Sequence, residues 1–408
     1  MRKSLYIIVF IFFLGLWGCD ETPTEPTKPT LAALMADKLE DTLRGRDVGY
    51  AFSIFEGEQL IVEKSGGFKS KTNDPEGQKS FLPTTKMHVA SMTKTLTAMA
   101  FLKVAAQKNL RTTDRIAPYL PPSWAKGSNI DLITFGDLLT HRSGIVGLGS
   151  NCANGSFSEN IYGGLKRLVA KGIGNKGNYC YQNANFGLFR VLIPSILGYK
   201  FTGNDATDDT ETQKRFLAFL QTEIFEKVGI KDAITTYPAG DPTYTYSLPA
   251  TSTQRGWNPG EFSQTLGGYG MYLTAREATQ IYASALSGSS DKIFAAAQAD
   301  SILIKNLGCY KATATLGTFY YHDGWWYSSL STMGQGLRTI WMKLPNNLTC
   351  VLFVNTLRWR TPANSLDFPF NNGNIVGFVY NAYAQASQAR NARVGAVPTL
   401  TIEHPEPH

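Results

Sequence analysis

Apolar residues recur at helical spacing over 31–44 (LAALMADKLEDTLR) and then change to strand-like runs at 49–55 and 59–63. Glu56-Gly57-Glu58 lies between these runs as a hairpin turn. The stretch 95–106 (TLTAMAFLKVAA) is apolar on every side except for Lys103, which predicts a buried helix beginning near Ser91. A short amphipathic helix is expected over 133–145, closed by the turn residues Ser143-Gly144. Later in the chain an aromatic, strand-like run covers 318–327 (TFYYHDGWWY). A second hairpin joins 338–344 to 348–354 through Pro345-Asn346-Asn347, and 374–386 (NIVGFVYNAYAQA) reads as a closing helix. Strands at both ends with helices between them predict an α+β chain. Its antiparallel sheet is built from both ends of the chain and flanked by the end helices, with a mainly helical domain inserted. The expected division is a sheet domain from 31–115 and 262–394, a helical domain from 116–261 and a tail from 395–408. No internal repeat is evident.

A hydroxyl and an amine stand one helical turn apart in Ser91-Met92-Thr93-Lys94, at the start of the buried helix. Side chains at i and i+3 share a face, so the amine of Lys94 can lie against the hydroxyl of Ser91. Serine is a weak nucleophile until a base or a positioned amine activates it. Burial and the positive end of the helix dipole both disfavour an ammonium there. Read alone, S-x-x-K equally fits a capping serine and a solvated lysine. Three more stretches follow in order: Ile133-Thr134-Phe135-Gly136-Asp137-Leu138-Leu139-Thr140-His141-Arg142-Ser143-Gly144-Ile145, then Tyr181-Gln182-Asn183, then His322-Asp323-Gly324.

With these four stretches in this order, the chain resembles the serine β-lactamase and penicillin-binding protein superfamily over roughly 31–394. The likeness is greatest to the branch of class C β-lactamases, D-stereospecific peptidases and related esterases. The resemblance implies that Ser91 is the acylated nucleophile, with Lys94 and Tyr181 carrying its proton. Asn183, His322 and Gly324 would bind or support the substrate, and the backbone N–H groups of Ser91 and Trp325 would form the oxyanion hole. His141 and Ser143 fall in a segment that is scaffold in the family, and His88 is expected in a loop wall. The implied function is a serine hydrolase acting on D-amino-acid peptides or amides, or on small esters. A β-lactamase and a catalytically inactive lipoprotein that binds peptidoglycan or a partner are the alternatives.

The third stretch departs from the family's K-T-G. A histidine attracts a substrate carboxylate less than a lysine does, and Asp323 would repel one if it points into the cleft. Substrates without that carboxylate are therefore favoured.

The first residues resemble a bacterial lipoprotein signal. Met1-Arg2-Lys3 is followed by an apolar run over 5–16, too short to span a bilayer as a stable helix, and then by Gly18-Cys19. This implies cleavage after residue 18, lipid on Cys19 and an extracytoplasmic, membrane-anchored protein. An ordinary secretory signal or an uncleaved anchor are the other readings. The following Pro/Thr-rich 19–30 is an extended tether. Four cysteines remain besides Cys19. An even number in an exported chain suggests disulfides, and Cys152–Cys180 and Cys309–Cys350 each fall within one expected domain. Four free thiols are the alternative.

The net charge of +7 is scattered along the chain, without the clustered patch that nucleic-acid binding needs. His404 and His408 in the tail make no metal site, and no H-E-x-x-H or paired C-x-x-C occurs. No metal or cofactor is expected. The expected partners are a small peptide, amide or ester substrate and the membrane through the lipid, with the protein a monomer.

Overall fold

The computed structural model describes residues 29–328, 334–358, 368 and 374–391. The expected signal, Cys19, most of the tether, His404, His408 and the tail lie outside them. Helix α1 (Leu31–Leu43) starts where Thr30 Oγ1 accepts from the N–H of Ala33 (3.2 Å). It packs beside the last helix, Ile375–Arg390. Together they cover one face of an eight-stranded sheet.

The strands of that sheet are β1 (Tyr50–Glu56), β2 (Gln59–Gly66), β3 (Tyr246–Leu248), β4 (Tyr310–Ala314), β5 (Gly317–Tyr327), β6 (Gly336–Lys343), β7 (Leu348–Val354) and β8 (Thr356–Arg358). Their order runs β8-β3-β6-β7-β1-β2, with β5 also on β6 and β4 on β5. All pairs are antiparallel except β8 with β3. Both expected hairpins form. In the second, Asn346 and Asn347 take left-handed φ values of 59° and 57°, which asparagine tolerates better than most residues.

Strand alternation divides the core in two. Phe52, Ile54, Ile340, Met342, Leu352 and Val354 face α1 and the last helix. Ala51, Trp341, Val351 and Phe353 face the other way, onto a core shared with α2 (Thr93–Lys108). Every residue of α2 from Thr93 to Phe101 is buried, because this helix lies inside the molecule. The region 116–261 holds the helices Tyr162–Lys171, Phe189–Ile196 and Asp205–Leu220. It also contains β3, however, so the inserted segment contributes a short strand to the main sheet.

The cysteines follow the same two-sided division. Cys152 and Cys180 are bonded. The expected Cys309–Cys350 bridge is absent and both thiols are buried and free. Cys350 sits on β7 in the α1-side core, and Cys309 lies in the α2-side core, so the sheet stands between them. Burial pushes both thiols up.

Candidate active site

The chain reaches Ser91 through a bend at Ala90, whose φ of +47° lies in the left-handed region. That conformation costs about 1–2 kcal/mol for a residue with a Cβ and persists only where its surroundings hold it. Here the N–H of Val89 donates to Met271 O (2.9 Å), and Thr339 Oγ1 donates to Val89 O (2.9 Å). Tyr282 OH donates to Met92 O (2.8 Å). A 3₁₀ turn, Ala90–Met92, carries Ser91 into α2. A Cβ at Gly324 would lie 2.5 Å from Val89 O and 2.3 Å from Thr339 Oγ1. The glycine therefore makes room for the backbone before Ser91 and for Thr339.

Lys94 is completely buried. Its Nζ lies 2.8 Å from Ser91 Oγ, 2.7 Å from Asn183 Oδ1 and 2.9 Å from Gly268 O, and 4.7 Å from the centre of the Tyr181 ring. Tyr181 OH is 2.8 Å from Ser91 Oγ. An ammonium can donate to all three oxygens. A neutral amine can donate to the two carbonyl-type oxygens, Asn183 Oδ1 and Gly268 O, and turn its lone pair to the serine O–H. The same three groups thus support the proton on either side of the contact, as activation of a serine requires.

Gly268 is a partner that the sequence did not disclose. A Cβ there would come within 2.7 Å of Asn183 O. Asn154, also not anticipated, accepts from the N–H of Asn183 (3.1 Å). It sits two residues beyond Cys152, in a loop tied to Cys180 by the disulfide. His141 brackets the tyrosine: its carbonyl accepts from the N–H of Cys180 (2.8 Å) and its Nδ1 from the N–H of Gln182 (3.1 Å). Burial, with the charges of Lys94 and His322, holds this imidazole well below the usual histidine range. Ser143 donates to Asn185 Oδ1 (2.6 Å), which is the structural use expected of it.

Ser91, Tyr181, Asn183 and Trp325 line a cavity of about 430 Å³, and among the described residues no charged side chain lines it. Gly324 precedes Trp325 on β5 and is not among the residues that line it. His322 is on the same face of β5 as Gly324, but its side chain lines a neighbouring cavity, not the one at Ser91. Its Nδ1 lies 2.7 Å from the carbonyl of Asp323; a carbonyl can only accept, so Nδ1 carries a proton. Asp323 corrects an expectation. Strand alternation turns it to the opposite face, where it forms a buried ion pair with Arg338. It neither reaches the cleft nor leaves a net charge, so the argument from Asp323 against carboxylate substrates fails.

His88, expected in a loop wall, is fully buried on the two-residue strand Met87–His88. It stacks on Phe262 at 4.0 Å, with neither ring nitrogen hydrogen-bonded. Burial pushes it down to about 3. The unfolded chain, titrating near the ordinary 6.5, binds this proton first, so stability falls as pH drops from about 6.5 towards 3. The slope is about 1.4 kcal/mol per pH unit. Replacing His88 with Phe is expected to flatten the dependence of Tm on pH over that window. An unchanged slope would place the effect elsewhere.

Among the described residues, no group of three or more His, Cys, Asp or Glu side chains is placed to hold a metal ion. Nor is any helix long and apolar enough to cross a membrane.

A serine set between a buried amine and a phenol, where a helix meets an antiparallel sheet flanked by helices, defines an active-site-serine protein of the β-lactamase and penicillin-binding type. The sequence model of the Beta-lactamase family matches residues 31–367, and the chain belongs to that family. At that level it is a serine hydrolase. It is 23% identical over 310 residues to a Bacillus subtilis (strain 168) protein named for penicillin binding, PbpX, covering 73% of this chain and 71% of that protein. The D-amino acid amidase of Ochrobactrum anthropi SV3 shares the fold with a TM-score of 0.64 at 15% identity, over 89% of this chain and 99% of that one. The β-lactamase/D-alanine carboxypeptidase of Yersinia pestis does so with a TM-score of 0.61 at 16% identity, over 88% and 98%.

Proposed function

We propose that the protein is an exported, lipid-anchored hydrolase that forms an acyl-enzyme on Ser91 and acts on D-amino-acid peptides or amides, or on small esters. The observation that carries this reading is Ser91 Oγ at 2.8 Å from both Lys94 Nζ and Tyr181 OH. Ser91 Oγ attacks the substrate carbonyl carbon and its proton passes to the Lys94–Tyr181 pair. The C–N or C–O bond then breaks, and Tyr181 returns the proton to the departing amine or alkoxide. Water attacks the resulting ester, gives its proton to the same pair, and Ser91 leaves as the alcohol. The backbone N–H groups of Ser91 and Trp325 hold the oxyanion in both steps, and Asn183 binds the acyl side. The names of the amidase and the carboxypeptidase among the structural neighbours support a D-configured substrate. His322, where the family's β-lactamases most often have lysine, favours peptides, amides and esters over β-lactams. Lipid on Cys19 would hold the domain at the membrane surface through the tether.

The test is a panel of D- and L-alanyl amides, nitrophenyl esters and penicillins given to the intact protein. D-amides or esters are expected to turn over with the highest kcat/KM, and a fluorophosphonate should add once, on Ser91. Preference for L-amides, or penicillins as the best substrates, would overturn the substrate assignment. A fluorophosphonate adduct on another residue would overturn the mechanism.

A further inference from the structure

Beyond the Ser91–Tyr181 pair, the cavity at Ser91 is walled by rings: Phe157, Tyr269, Trp325, Trp326 and Tyr327. Those on the sheet side are packed in place. Trp325 stacks on Tyr327 with ring centres 4.9 Å apart, and Trp326 lies 4.8 Å from Tyr269. Phe262 and His88 meet Trp326 edge-on at 5.2 and 5.6 Å. Rings already held in position lose little freedom when a ligand is laid against them.

Phe157 comes from the inserted segment, and the loop that carries it is held at four points. Cys152 is bonded to Cys180, and Ala153 O accepts from Gln182 Nε2. Asn154 Oδ1 accepts from the N–H of Asn183 (3.1 Å), and Ser156 O accepts from Asn160 Nδ2 (2.9 Å). Cys180 and Gln182 flank Tyr181, so the loop is fixed relative to the reacting groups. Even so, Phe157 and Tyr327 stay 43% and 49% exposed. Two large rings held at a cleft with half their surface in water are apolar area that a bound ligand would cover. A charged group entering here would shed water and, among the described lining residues, meet no counter-charge.

We propose that this cavity selects an acyl portion with an uncharged aromatic side group beside the scissile carbonyl, and that Phe157 and Tyr327 set the preference. The assignment to the acyl portion rests on the hydrolase reading, in which Asn183 binds that side; the affinity of the cavity for an aryl group does not.

The test uses the full chain and the double variant Phe157→Ala/Tyr327→Ala, whose truncations fall on half-exposed rings and spare the core. N-acetyl nitrophenyl esters of D-phenylalanine, D-alanine, D-glutamate and D-lysine are compared by kcat/KM. Acetylation removes the α-ammonium, so the four differ only in the side group. Ratios are taken within each protein, so a general change in the variant cancels. The phenylalanine ester is expected to exceed the alanine ester roughly tenfold, with both charged esters below it, and the double variant to bring that ratio close to one. Separately, Ser91→Ala is titrated with the matching N-acetyl amides and followed by tryptophan fluorescence. There the phenylalanine amide is expected to bind roughly tenfold more tightly than the alanine amide. A ratio near one in the parent protein, a charged ester as the best substrate, or a ratio that survives the double variant overturns the proposal. Tighter binding of the phenylalanine amide with no hydrolysis of any ester would support the aryl site and overturn the hydrolase reading instead.

Discussion

Ser91→Ala is expected to lower kcat/KM by roughly 10⁴–10⁶, the usual cost of losing the nucleophile of a serine hydrolase, and to abolish the fluorophosphonate adduct. The expected effect is this large because Ser91 Oγ is the hydroxyl held 2.8 Å from both Lys94 Nζ and Tyr181 OH. The other groups at hydrogen-bond distance from the serine are the Lys94 amine and the Tyr181 phenol. The amine is committed to Asn183 Oδ1 and Gly268 O and is completely buried. Without the hydroxyl, the oxyanion donors and the cleft walls can still bind the substrate, so KM should change far less than kcat. The fold should persist, since Lys94 keeps two oxygens and the alanine loses only one polar atom. Intact-mass labelling of the variant, with its circular dichroism as control, decides the matter. A folded variant that still takes the probe would place the nucleophile elsewhere.

The parts of this site that could be read from the sequence were local. Ser91 and Lys94 are fixed relative to each other by helical spacing, and both hairpins are marked by their turn residues. Tyr181 and Asn183 could be placed only through family order, since no local rule brings residues 90 positions apart to one hydroxyl. The direction of Asp323 was not legible for a definite reason. In TFYYHDGWWY bulky aromatic residues stand on both sides of the alternation, so the two-residue period gives no clue to which face is core. The structure resolves it through Gly324, whose missing side chain fits against Val89 and Thr339. That sends Asp323 to the other side, to Arg338. The cysteines posed the same problem. Cys350 lies in LTCVLFV, a strand buried on both faces, so its spacing could not reveal that the sheet separates it from Cys309. The strand Tyr246–Leu248 has three residues, too few for a period to show.

Tyr181→Phe is expected to cost about 10²–10⁴ in kcat, the worth of a positioned acid–base group, while His322→Lys keeps most of the rate on neutral esters. The phenylalanine variant retains the ring beside Lys94 and the disulfide at Cys180, and loses only the hydroxyl 2.8 Å from Ser91 Oγ. Its defect should therefore be in proton transfer. It should be smallest for nitrophenyl esters, whose leaving group departs without a proton, and largest for amides, whose amine cannot. His322 is outside this path. Its Nδ1 is turned to the carbonyl of Asp323 and its side chain lines the neighbouring cavity. Lys94 and Tyr181 contact the same serine hydroxyl, so a pH–rate profile is expected to report the two together and not either alone. Activity is expected to rise with pH in the parent protein, and the lysine variant to keep that rise, because His322 is outside the proton path. Amide kcat near normal in the phenylalanine variant, with collapse on neutral esters in the lysine variant, would mean that His322 rather than Tyr181 carries the proton.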